Sequence, residues 1–342
     1  MSLKPANLTN KTVTLDDVAQ EAGVSRKTVS RVINANGYVS EITRQRVEKA
    51  VEKLDYRPNL LARSLASDRS TVIGIIIPSI ANRYFSQVIA GIESVAQENA
   101  YSVLLLNSYG DMNRERDALH LLEEHRVDGL VYNTPCLAVA DLKDMLQRQK
   151  ASVMIGHDPI GDLSGVVNVD IYSAMIEAVQ HLVDVGRRRI AYIKPDADQR
   201  YPHRKRLEGL QQGLRNLHLD TEPLLVEAIG RDIEETSDRV EDWLRTQPDV
   251  DAIICYNDEH AFATIEACDR LGYRIPEDIA VVGFDDISLS RIQRISLTTF
   301  HIPRFEVGAT AARILFERIG GNFDTPEVMI KPEFTKRDST PT

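Results

Sequence analysis

Apolar positions along the chain follow two rhythms. In residues 13–56 they recur every three or four positions: Val18, Ala19 and Ala22 form one stripe, Val29, Val32 and Ile33 a second, and Val47, Ala50, Val51 and Leu54 a third. This spacing predicts three short amphipathic helices. Beyond residue 70 the rhythm gives way to near-continuous apolar runs, at 71–77, 102–107, 128–133, 151–156, 166–169, 189–194, 223–228, 251–257 and 279–285. Such runs, separated by helical stretches, predict parallel strands covered by helices on both faces. They are too many for one comfortable sheet, so two doubly wound lobes are expected.

Polar residues punctuate the first region. Thr14 stands three residues before Asp17, a capping-box spacing with Asp in place of the usual Glu, and Gly23 follows the last apolar position. Ser25 is placed to cap a second helix from Arg26 to about Asn34, and Ser40 to cap a third. Two short helices joined this closely predict a helix-turn-helix, whose second helix enters the major groove of DNA by its N-terminal end. Arg26 and Lys27 fall at that end, where they can reach guanine O6 and N7. Arg31 lies farther along the same helix. Ser25, Thr28, Ser30, Asn34 and Thr43 suit phosphate oxygens, which position a protein without reading sequence. The same residues would also make an ordinary solvated face of a three-helix bundle.

Charge sharpens the choice. The formal net charge of the 342-residue chain is -10. Residues 1–69 nevertheless hold 12 Lys and Arg against 8 Asp and Glu, and the remainder 29 against 43. A basic head on an acidic body points to a polyanion met by the head alone. The three cysteines are sparse and unpatterned, which fits a reducing compartment rather than a disulfide framework. The opening "MSLKPANLTNKTV" is polar and no 18-residue apolar run occurs, so a cytoplasmic protein without membrane contact is expected.

Between head and body lies "YRPNLLARSLAS". Pro58 breaks the third helix and Asn59 can cap a very short one, exposing Leu60, Leu61 and Leu65 beside Arg63. A helix this short does not stand alone in water. It is read either as a packed linker or as a hinge that folds on DNA and drives an apolar wedge into the minor groove.

"VTLDDVAQEAGVSRKTVSRVIN", "YRPNLLARSLAS" and "STVIGIIIPSIANRYF" together closely resemble the lactose/galactose repressor family of bacterial transcription regulators, and the likeness runs from Val13 to about Arg337. The resemblance implies that Arg26, Lys27 and Arg31 contact operator bases. It also implies that Leu65 wedges into the operator centre with Ala62 beside it. For the body it implies a periplasmic-binding-protein-like core. The expected organisation is a helix-turn-helix head (1–57), a hinge (58–69) and an effector-binding core (70–342). One lobe would hold about 70–184 and 303–329, the other about 185–302 and 330–342. Family members with a tetramerising tail carry a leucine heptad after the core, where this sequence reads "FTKRDSTPT", so a homodimer is expected.

Ligands of doubly wound lobes bind at the carboxyl ends of strands, which directs attention to the residues after each apolar run. Asn82, Tyr84 and Phe85 follow the first and can grip and stack a small polar ring. "DQRYPHRKRLEG" holds Arg200, Arg204 and Arg206, suited to hydroxyls and carboxylates. Asn257, Asp258, Asp285 and Asp286 can bond vicinal hydroxyls, or, for Asp258 and Asp286 above all, cap helices. His301 stands near an expected lobe crossover. By resemblance Arg206, Asn257 and Asp285 are the most dependable effector contacts, and Arg200 matches a position used by purine-responsive members. Two departures stand out: Asp232 where members often carry an aromatic, and Ile302 where many carry Gln.

An enzyme is not expected. Asp285 and Asp286 are adjacent on an extended segment and point apart, so they cannot flank one bond. No G-x-S-x-G, Walker loop or H-E-x-x-H occurs, and no metal or cofactor is expected. The combined reading is a repressor that binds a pseudo-palindromic operator as a dimer under control of a small-molecule effector, expected to be a sugar or sugar derivative. The alternative is a cytosolic solute-binding-type protein without operator activity. If Leu65 acts as a wedge, Leu65→Ala weakens specific operator binding far more than non-specific binding in gel-shift titrations. Equal losses would show that it does not.

Overall fold

The computed structural model describes residues 13–33, 37–56, 69–133, 136–194, 200–219, 224–226 (backbone only), 233–325 and 327–341. Asn34, Asn59, Ala62, Leu65 and Asp232 lie outside the described residues, as does the expected hinge up to residue 68. Contacts divide the chain into two units, one ending at Ser70 and one beginning at Thr71.

The first unit contains helices α1 (Leu15–Ala22), α2 (Arg26–Ile33) and α3 (Glu41–Lys53). The Thr14 side chain accepts from Asp17 N–H while the Asp17 carboxylate accepts from Thr14 N–H at 2.8 Å, which closes the capping box. Gly23 ends α1 in the left-handed region, φ 61°. Ser25 Oγ accepts from Thr28 N–H at 3.2 Å and Ser40 Oγ from Thr43 N–H at 3.4 Å. Val18, Val29 and Val47 are fully buried at the centre, with Ala22, Val32, Ala50 and Tyr56 around them. The three apolar stripes thus meet in one small core.

The second unit holds two parallel sheets. The larger is ordered β11-β5-β4-β3-β1-β2. It comprises β1 (Val72–Ile77), β2 (Ser102–Asn107), β3 (Gly129–Asn133), β4 (Ser152–Ile155), β5 (Gly165–Val169) and β11 (Val328–Ile330). The smaller is ordered β7-β6-β8-β9, with β6 (Ile190–Ile193), β7 (Leu224–Val226), β8 (Ala252–Cys255) and β9 (Ala280–Val282). All pairings within both sheets are parallel. Burial on both faces explains the unbroken apolar runs of β1, β3, β4, β5, β6, β8 and β9; β2, at the sheet edge, is half-buried. In each sheet the strand order reverses once, between β1 and β3 and between β6 and β8, and those switch points open crevices at the strand ends.

The helices are α4 (Arg83–Glu98), α5 (Met112–Glu124), α6 (Val139–Leu146), α7 (Ile171–Asp184), α8 (Tyr201–Asn216), α9 (Ile233–Thr246), α10 (Asp258–Leu271) and α11 (Arg304–Ile319). Helix α11 packs against α4 and the larger sheet, and α7 against α8. The chain therefore crosses between lobes at Val169–Ile171, again at His301–Arg304, and last at Ile330–Glu333. The first crossing comes one helix earlier than the expected division near residue 184, because the buried stripe of α7 faces α8. Strands β10 (Thr299–His301) and β12 (Glu333–Thr335) pair antiparallel where the last two crossings run side by side.

Two glycines let α4 and α11 touch backbone to backbone. A Cβ on Gly308 would lie 1.9 Å from the Val88 carbonyl oxygen, and one on Gly91 2.0 Å from that of Phe305. Alanine is the better helix former by about 1 kcal/mol, yet Gly308→Ala should destabilise the core by about 3 kcal/mol, since neither backbone can yield. Urea unfolding measures this; an unchanged midpoint would contradict the close contact.

Candidate functional site

In the helical unit, Arg26, Lys27 and Arg31 are exposed along α2, whose apolar face is committed to the core through Val29 and Val32. Among the described residues Arg26 pairs with Asp16, at 3.5 Å with both side chains 67% exposed, a pair worth well under about 1 kcal/mol and easily exchanged for a phosphate or base. Ser25 and Thr28 share a hydroxyl contact of 2.9 Å at the start of α2, and Thr43 makes the same contact with Ser40 at the start of α3. The cationic edge and the hydroxyl-bearing helix starts belong to one compact unit.

In the second unit a cavity opens where the two switch points meet. Asn82, Tyr84, Phe85, Asn133, Ile155 and Gly156 line it from the first lobe. Tyr201, Pro202, Arg206, Tyr256, Asn257 and Asp285 line it from the second. Val169, Ile171 and Ile302, on two of the crossings, close the wall. The space, including its opening to solvent, is about 610 Å³.

Arg206 is buried, with its guanidinium 4.4 Å from the ring centres of both Tyr256 and Phe284. Its Nη1 donates to the Pro202 carbonyl at 3.1 Å, and its buried Nε has no hydrogen-bond partner among the described residues. The two rings hold the cation by cation–π attraction and leave its outer edge for a ligand. Asp285 stands beside Phe284 on the same wall. Its carboxylate is buried, and among the described residues it makes no hydrogen bond or ion pair. Burial, then the neighbouring Asp258, push its pKa well above the ordinary carboxylate value, against the pull of Arg206 and Arg304. Burial and Asp285 likewise raise the Tyr84 phenol.

Asp258 anchors the loop that carries Asp285. It is fully buried and accepts from Ile287 N–H at 2.9 Å, Ser290 Oγ at 2.6 Å and Thr299 Oγ1 at 2.6 Å. It is not the helix cap. Asn257 caps α10, accepting from His260 N–H at 3.0 Å. Asp286 is no cap either; it pairs with Arg291, Arg337 and His301. Asn82 caps α4 through Tyr84 N–H at 2.8 Å, so its amide nitrogen is what remains for the cavity.

Residues 14–59 match the family model described as Bacterial regulatory proteins, lacI family, and residues 179–340 match the Periplasmic binding protein-like domain. The HTH-type transcriptional repressor PurR of Vibrio vulnificus is 33% identical over 95% of this chain and 98% of its own. Catabolite control protein A of Staphylococcus xylosus is 32% identical over 96% of this chain and 99% of its own. The chain belongs to the lacI family of bacterial regulatory proteins. The crystal structure of the lac repressor dimer bound to operator and the anti-inducer ONPF superposes with a TM-score of 0.87, at 28% identity, over 97% of this chain and 100% of that one. This lacI-family member is a DNA-binding transcription regulator with an effector-binding core, and its relatives are regulators rather than enzymes. Among the described residues no helix is long and apolar enough to cross a membrane.

Of the cavity residues expected in this regulator, Asn82, Tyr84, Phe85, Arg206, Asn257 and Asp285 come together. Arg200 and His301 do not line the cavity. Arg200 precedes α8 and its guanidinium lies near Gly110 on the β2–α5 loop. His301 sits on β10 between Phe300 and Ile302, which face inward, so alternation turns it outward; its Nδ1 contacts Asp286 at 3.1 Å. Asn133, Tyr201 and Tyr256 were not anticipated, although Asn133 and Tyr256 stand at strand ends as the crevice rule requires.

Burial, opposed by its three hydrogen bonds, holds the Asp258 carboxyl at about 6, above its ordinary 3.8. Between those values the folded chain binds more protons than the unfolded one. The contribution of Asp258 to stability therefore falls as pH rises from about 4 to about 6, on the order of 3 kcal/mol. Asp258→Asn removes that contribution from the pH dependence of urea unfolding across this window, leaving that of the other carboxyls; identical pH dependence in both proteins would contradict the assignment.

Proposed function

We propose that this regulator represses transcription by binding a pseudo-palindromic operator as a homodimer, under control of a neutral polyhydroxylated effector, a sugar or sugar derivative, held between the core lobes. The observation that carries this reading is the pairing of chemistries on one buried wall. Arg206 offers donors and Asp285 offers acceptors, each anchored and neither neutralised by direct contact with the other. A hydroxyl both donates and accepts, so a vicinal diol satisfies both groups at once. The faces of Tyr84, Phe85, Tyr201 and Tyr256 supply apolar and aromatic surface for the C–H face of a ring. Arg200 and Arg204 lie outside the cavity lining, which leaves it without the cationic cluster an anionic ligand would favour.

The cavity draws on both lobes, so a ligand that touches both favours one lobe arrangement. It shifts operator affinity only by its differential affinity for the two states. A coupling of about 1–3 kcal/mol corresponds to a change of roughly 5- to 150-fold. On the DNA side, Arg26 and Lys27 read bases, while Ser25, Thr28, Ser30, Arg31 and Thr43 place the head on the backbone or reach a further base. Asn34, Asn59, Ala62 and Leu65 complete the proposed contacts.

A thermal-shift screen of the full chain against sugars, sugar acids and nucleosides identifies the effector. Arg206→Ala and Asp285→Ala should each bind operator as wild type does in a gel shift yet lose the response to that effector. A normal response from both variants would place the effector elsewhere.

A further inference from the structure

Asp286 follows the residue that offers its carboxylate to the cavity, but its own side chain is buried outside the cavity, where three elements meet. One oxygen accepts from Arg337 Nη2 at 2.7 Å. The other accepts from Arg291 Nη2 at 2.7 Å and faces His301 Nδ1 at 3.1 Å. The Asp286 carbonyl accepts from Arg304 Nη2 at 3.1 Å, a bond that comes from the first lobe. Burial alone would raise the Asp286 carboxyl, but the hydrogen bonds from Arg291 and Arg337 outweigh it and hold the group below its ordinary value.

The backbone explains why so much is spent on one side chain. Asp285 has φ 116° and Asp286 φ 52°. Residues with a Cβ avoid that region and stay there only when the surroundings over-determine them. Below the turn, Asp258 holds Ile287 N–H, Ser290 and Thr299. Beside it, Asp285 N–H donates to the Phe300 carbonyl at 3.0 Å. From outside, the remaining hold is Asp286. Arg337 is itself fixed, with Nη1 on the Leu297 carbonyl at 2.7 Å and its N–H on Thr298 Oγ1 at 2.8 Å. It belongs to the segment in which Ser339 bonds Val281 beside β9.

We propose that Asp286, clamped by Arg337 and Arg291, is a positioning residue for effector recognition, and that Arg337 sets effector affinity through Asp285 without lining the cavity. The proposal rests on the cavity being the effector site. The clamp keeps the Asp285 turn in its unfavourable backbone conformation and so keeps the carboxylate aimed at the ligand. Arg337→Gln removes one side of the clamp. Arg337→Lys retains a charge for Asp286 but not both hydrogen bonds. Asp286→Asn keeps the size and removes the charge.

The test compares the full-length variants by amide hydrogen exchange and by calorimetric titration with D-ribose, D-glucose and D-gluconate. Arg337→Gln should speed exchange at Asp285 and Ile287 about tenfold, leave β8 and α10 protected, and weaken about tenfold whichever probe the wild type binds. Arg337→Lys should recover part of both losses, and Asp286→Asn should reproduce them. In an Asp285→Asn background Arg337→Gln should change probe affinity no further, since it acts through that carboxylate. Unchanged exchange overturns the proposal. So does faster exchange with unchanged affinity, or an equal affinity loss in the Asp285→Asn background. If the wild type binds none of the three probes, the sugar reading fails on its own and exchange alone decides the clamp.

Discussion

A carboxylate taken out of water costs several kcal/mol unless cations or donors replace its hydration. Asp285 is buried in the cavity of this regulator, and among the described residues it has no direct hydrogen bond or ion pair, Arg206 and Arg304 acting on it only from a distance. The core is arranged so that this costly group stays where it is. The turn that carries it is held by Asp258 beneath, by the Phe300 carbonyl alongside and by Asp286 outside. Arg206 is fixed nearby by two aromatic rings rather than by an acid. Both groups thus keep their hydrogen-bonding capacity for something absent from the chain itself, which is the physical meaning of a preorganised site.

That site is useful to a regulator because its walls come from two bodies. Three crossings join the lobes, and two of them, at Val169–Ile171 and around Ile302, also form the cavity wall. Polar contacts reach across the gap as well: Arg204 of α8 pairs with Asp158 after β4, and Arg304 of α11 with the Asp286 carbonyl. A ligand between the lobes competes with or completes these contacts. Its binding energy is then coupled to the lobe arrangement, which is what the proposed control of operator affinity requires.

Much of this could be read in the residues beforehand. The nine apolar runs of the body correspond to β1–β9, with ends displaced by at most three residues, because strands inside a helix-covered parallel sheet are apolar without interruption. Caps and stripes locate the three helices of the head for equally local reasons. Strands β10, β11 and β12 span three residues each and exist only because segments distant in the chain pair, β10 with β12 and β11 with β5, so no local periodicity marks them. The same limit explains His301: which way it points depends on the alternation of β10, invisible until that strand is known. The crevice rule locates Asn82, Asn257 and Asp285, but in the stretch after β6 the arginines and the family resemblance pointed to Arg200 and passed over Tyr201 beside it. Asp258 and Asp286 look like caps in sequence; their burial against Ser290, Thr299, Arg291 and Arg337 depends on a loop folding back, which no short-range pattern encodes.

The central claim is that effector in the cavity and operator on the head are energetically linked in one molecule. Linkage is reciprocal by thermodynamic necessity. The most direct measurement is therefore a closed cycle: operator affinity with and without saturating effector, and effector affinity with and without saturating operator. The account predicts one common factor, of roughly 5-fold or more, in both directions. Effector that binds with the same affinity whether or not operator is present, and leaves operator affinity unchanged, would contradict it.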